Sequence, residues 1–242
     1  ARLRQALSFG DAADVRAHYV AIHRAAVAGT LPSRGSVMPY LHFAFEGARR
    51  RSGPEGDDGG GGKDAVTEAR SALLALGIYC GVSRLEILAG KVVPENLARQ
   101  TKRCGGTTLG GRGDLRQHFI VSAVLEVMSN VGMAFTVGEF KELLDANKGG
   151  SGFSFDDIAA DLAGIRFAGT LFAEKTAGTV PTRLLGMMDR EDQIFPKVRD
   201  LPSGMTARVF KRRFGAVDSP AYKEMIASIQ KRIDALPFHA GT

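Results

Sequence analysis

A chain of 242 residues suits one large domain or two small ones. Its 44% hydrophobic and 24% charged residues are an ordinary globular balance, and 7% aromatics with no Trp favour a helical bundle over a β-sandwich. The formal net charge of +6 and pI near 9.5 suit anionic partners such as lipid headgroups or cell-wall polymers. The basic residues lack the interleaved aromatics and recognition motif of a nucleic-acid binder, so none is expected. No window reaches the roughly 18 uninterrupted apolar residues of a membrane span. Glu126, Ser129 and Asn130 interrupt 119–137, and Arg84 and Glu86 interrupt 72–89.

Residues 11–28 have helical periodicity, with Val15, Tyr19, Ile22 and Val27 near one face, Asp11 as N-cap and Gly29 as stop. His18 and His23, five apart, fall on different faces and read as surface or boundary histidines. A short helix is predicted over 37–49. Residues 49–63, RRRSGPEGDDGGGGK, hold nothing that can be buried and read as a Gly-rich linker. A long helix over 64–89 follows, ended by Gly90, with Pro94 opening a shorter one. Cys80 and Cys104 are the whole thiol inventory. In an exported chain they would pair and close a loop worth about 3 kcal/mol; in a cytosolic one they would be two buried thiols. The GGTTLGG stretch, 105–111, reads as a loop and lacks the Gly-Lys-Ser/Thr ending of a phosphate cradle.

The chemistry concentrates in 112–169. His118 is predicted to face inward on a helix over 114–129, beside Leu115, Val121, Ser122 and Leu125. Asp114, one turn earlier, could fix the imidazole tautomer or simply cap the helix. A second helix over 133–146 carries Lys141, Glu142 and Asp145, with Lys141 and Asp145 spaced to pair. A third, to about 172, opens with a capping-box-like Ser154 and Asp157. Asp161 falls between Ile158, Leu162 and Ile165 on the expected buried stripe, where a carboxylate must be paired, protonated or metal-bound. On one straight helix His118 and Glu142 would lie about 36 Å apart; a reversal at 130–132 would bring them level in an antiparallel pair. The candidate catalytic set is therefore His118, Asp114, Glu142 and Asp161. If a divalent ion is the cofactor, Glu142, Asp145, Asp157 and Asp161 are its candidate ligands.

These residues carry a resemblance. Asp114-x-x-x-His118-Phe119 with Ser122-Ala123, Lys141-Glu142-Leu143-x-Asp145, Gly150-Ser151-Gly152-Phe153-Ser154-Phe155-x-Asp157 and Asp161-x-x-Gly164 resemble the YfiM-like family of bacterial envelope lipoproteins. The VanZ-like proteins are more distantly similar. The match spans about 60 of the 242 residues. It implies a small helical protein of the bacterial envelope and one shared polar site. The interval from His118 to Lys141 is shorter than in the small lipoproteins, no lipidated N-terminal Cys is present, and both ends are extended. A soluble exported relative, with its signal removed before Ala1 and a periplasmic location, is the expectation.

The C-terminal third reads as loop-rich, with Pro181, Pro196 and Pro202, then a basic helix over 207–215. A last amphipathic helix over 218–236 turns Tyr222, Met225, Ile226, Ile229 and Ile233 to one side. The fold class expected is all-α, an irregular bundle. Its parts are an arm (1–50), a linker (51–63, glycine-rich near 52–62), a core (64–176) and a C-terminal wrap (177–242). The function expected is an envelope hydrolase acting by water activation; the alternative is a non-catalytic structural or binding protein whose polar cluster specifies the core.

Overall fold

The computed structural model describes residues 11–53, 64–100, 103–130, 152–173, 185–186 and 190–240. Helices α1 (Ala12–Val27) and α2 (Met38–Ser52) flank a three-residue strand β1 (Arg34–Ser36). Asp11 caps α1 by accepting from the Ala13 N–H at 2.9 Å, and Gly29, at φ +82°, ends it. Helix α3 (Ala65–Leu76) is capped by Asp64, which accepts from the Thr67 N–H at 2.9 Å. Short helices α4 (Glu86–Ala89) and α5 (Glu95–Ala98) follow, then β2 (Gly106–Thr108), α6 (Gly113–Asn130), α7 (Phe155–Leu171), α8 (Ala207–Phe214) and α9 (Pro220–Asp234). The fold is an all-α irregular bundle, and among the described residues its strands are the short parallel pair β1–β2.

One hydrophobic core runs from Val15 to Phe238. Helices α1 and α2, in the segment read as an arm, both pack on α3 within this core. Phe45, Phe119 and Phe238 surround the Phe167 ring, so α2, α6, α7 and the C-terminal turn meet there. Phe153, Phe155, Phe210, Phe214 and Tyr222 form another aromatic group fastening α8 and α9 to the start of α7. Glu191 adds a polar tie: it accepts from Ser36 Oγ at 2.6 Å and from the Gly110 N–H at 2.8 Å.

The structure corrects several sequence expectations. The helix expected over 64–89 breaks after Leu76 into a π-helical turn, Gly77–Gly81, and a 3₁₀ turn, Ser83–Leu85. A Cβ at Gly77 would stand 2.8 Å from Val124 Cγ2, so the bare glycine lets this turn lie against α6. Cys80, in that turn, is disulfide-bonded to Cys104. The stretch expected to be a loop at 105–111 contributes β2, in register Arg34–Gly106, Gly35–Thr107 and Ser36–Thr108. His18 and His23, expected near the surface, are 3% and 5% exposed. Among the described residues no helix is long and apolar enough to cross a membrane.

Candidate active site at the seam between α6 and α7

Helices α6 and α7 run in the same direction with their starts together, as the contacts Arg112–Asp157, His118–Asp161 and Phe119–Phe167 require. Their contact combines the Phe119–Phe167 ring pair with small residues. The buried residues of α7 include Ala159, Ala160, Ala163, Gly164 and Ala168 beside Phe155, Phe167 and Leu171. A Cβ at Gly164 would stand 2.2 Å from the Phe119 carbonyl oxygen. Only glycine permits this backbone approach. It sets the spacing at which Asp161, one turn earlier on α7, reaches α6.

Asp161 receives two side chains from α6. Ser122 Oγ donates to Asp161 Oδ1 at 2.7 Å, and His118 Nδ1 lies 3.1 Å from the same oxygen. Ser122 is fully buried, while the side chains of His118 and Asp161 are 24% and 20% exposed. Burial opposes protonation of His118, but its hydrogen bond to Asp161 and the charges of Asp161, Asp157 and Asp114 outweigh it and raise the imidazole pKa. With Nδ1–H donating to the carboxylate, the neutral tautomer leaves Nε2 as a free acceptor. Ser122 spends its proton on Asp161 rather than on the imidazole, so the set lacks the serine–histidine contact of an activated nucleophile.

At the start of the seam Arg112 gathers three carboxylates: Asp114 at 2.6 Å, Asp157 at 3.3 Å, and Asp156. Its hydrogen bonds hold Asp114 below the usual carboxylate range despite partial burial. Burial pushes Asp157 up, with Asp156 and Asp114 acting in the same sense against His118 and Arg112.

Three expectations about the site change. Asp114 does not orient His118; Arg112, two residues away, holds it, and its influence on the imidazole is through charge alone. Asp161 takes the orienting place, but not from a fully buried stripe: Ile165 of that stripe is 37% exposed, while alanines line the interface. The Ser154 hydroxyl does not cap α7 but accepts from the Gly204 N–H at 3.0 Å. The Glu142 and Asp145 expectations lie outside the described residues, as does the turn expected at 130–132 beyond Asn130. Among the described residues no group of three His, Cys, Asp or Glu side chains is placed to hold a metal ion.

A histidine–carboxylate pair that sequence reading missed lies among α1, α2 and α3. His18 Nε2 is 2.7 Å from Glu68 Oε2, Arg51 donates to the same oxygen at 3.0 Å, and Arg51 also pairs with Asp14 at 2.6 Å. Burial would raise Glu68, yet the bonds from His18 and Arg51 prevail and lower it. These partners are as much as 50 residues apart, so only the helical pattern that turns His18 inward could have hinted at them. The chain matches no protein-family model, no curated protein and no solved structure.

Proposed function

We propose that the chain is an exported helical protein of the bacterial envelope whose α6–α7 seam activates water for hydrolysis. The carrying observation is the contact between His118 Nδ1 and Asp161, with the imidazole partly open to solvent. Asp161 orients the ring and stabilises the imidazolium, and His118 Nε2 takes the proton from the attacking water. The Cys80–Cys104 disulfide supports an oxidising compartment, and the pattern shared with YfiM-like proteins supports the envelope. An anionic envelope component is the partner class that the basic surface fits.

The test is hydrolysis of chromogenic ester, amide and phosphodiester substrates by the full chain, with and without chelator. Activity should rise with pH as His118 loses its proton. His118→Ala should lose roughly a hundredfold or more while its circular dichroism stays unchanged. Equal turnover by the variant, or none by the parent chain across all three bond types, refutes the reading.

A second reading is favoured by the buried Ser122 and the close Gly164 crossing: the polar set locks α6 against α7 and catalyses nothing. It predicts that His118→Ala unfolds the bundle early and that no substrate turns over.

A further inference from the structure

The α1–α2 pair has an unassigned surface feature. The two helices are antiparallel, with Asp14 level with Arg51 and His18 level with Gly47. Each packs on α3 more than on the other, leaving a groove of about 530 Å³ between them. That volume lies within the about 300–1,000 Å³ typical of small-molecule sites. Ala17, Val20, Ala21, Phe43 and Ala44 supply an apolar lining, and Arg16, Arg24 and Arg50 stand around it.

The charge is not matched from within. Arg16 and Arg24 are exposed and make no hydrogen bond or ion pair among the described residues. Arg50 has only a loose 3.9 Å approach to Glu46. His18 also lines the groove with its side chain only 4% exposed. Its Nε2 is committed to Glu68, and its Nδ1 has no hydrogen-bond partner among the described residues. Where α2 would cover that nitrogen it carries Gly47; a Cβ there would stand 3.6 Å from Nδ1. With Nε2–H donating to Glu68, the neutral tautomer leaves Nδ1 an acceptor, so the anion-binding groups at this end of the groove are Arg16 and Arg50.

We propose that this groove binds a single-chain carboxylate amphiphile, a fatty-acid-type anion. Its carboxylate sits between Arg16 and Arg50, and its aliphatic chain runs along Ala17, Ala21 and Phe43. An aliphatic chain suits the side of the groove formed by Ala17, Val20, Ala21 and Phe43, and an anionic head suits the unmatched Arg16 and Arg50. The site is separate from the His118 seam and does not depend on its chemistry.

The test is calorimetric titration of the full chain with dodecanoate below its micelle concentration, beside dodecanol, acetate and phosphatidylglycerol vesicles. Dodecanoate should bind saturably at one site, with dodecanol and acetate each weaker by roughly tenfold or more. Arg16→Gln with Arg50→Gln should weaken dodecanoate by roughly tenfold without moving the melting midpoint, since both side chains are exposed. Ala21→Phe, also at an exposed position, should block the chain path and abolish binding. Absence of saturable dodecanoate binding, equal affinity in these variants, or binding confined to vesicles overturns the proposal; the last would make this face a membrane contact.

Discussion

Two histidine–carboxylate pairs in this molecule use the same groups to different ends. His18 and Glu68 meet at 2.7 Å with side chains 4% and 0% exposed, and Arg51 adds a second donor to the same oxygen. His118 and Asp161 meet at 3.1 Å with side chains 24% and 20% exposed. The first pair, joined by Arg51, ties three helices together and is almost closed to solvent. The second pair stands at a helix seam where water can reach the imidazole. Burial thus separates a pair closed to solvent from one whose imidazole is open to proton exchange with water.

The largest expected effect tests the sealed pair. Glu68→Ala leaves His18 and Arg51 without their shared carboxylate, and should cost about 3–5 kcal/mol in urea unfolding. A change near zero would mean that the cluster contributes nothing to holding α1, α2 and α3 together. Next comes Gly164→Ala, which forces α6 and α7 apart at the Phe119 carbonyl. It should cost about 1–3 kcal/mol and lower any hydrolytic rate by lengthening the His118–Asp161 contact. Unchanged stability would show that the close crossing is dispensable.

The exposed pair should matter less for folding. His118→Gln should cost under about 1 kcal/mol, and the deficit should depend on pH. A histidine pKa raised by folding gives stability that is fully present below the unfolded value of about 6.5 and lost as pH rises through the folded value. The variant should therefore differ most from the parent in mild acid and converge with it in alkali, as paired denaturation curves would show. The finest test is an NMR titration of His118 in Asp161→Asn. With that carboxylate gone, the opposing effect of burial gains weight and the imidazole pKa should fall; no change would assign the rise to Asp157 and Asp114.

How much of this was legible depended on whether the cause was local. Caps at Asp11, Asp64 and Ser219 accept from N–H groups within three residues of them, and the one at Asp11 is read directly from the sequence. The disulfide was one of two readings left open, and the structure selects it. On α7 close backbone approach selects Ala and Gly beside the buried Phe155, Phe167 and Leu171 and leaves Ile165 outward, which an apolar stripe alone does not distinguish. Asp161 was singled out correctly as needing a partner, but its partners on α6 are 39 and 43 residues away. Spacing leaves Asp114 open to His118 or to a helix cap, and Arg112, two residues away, competes for it.

The carboxylate of Glu191 has a wider consequence. It is joined to the strand that launches α2 and to the turn that precedes α6, contacts spanning 155 and 81 positions of chain. A protease cut that released the C-terminal segment would remove one stitch from beneath both helices at once. Damage far downstream would then be felt in the sealed cluster and at the open seam together, through the one carboxylate bonded to both approaches.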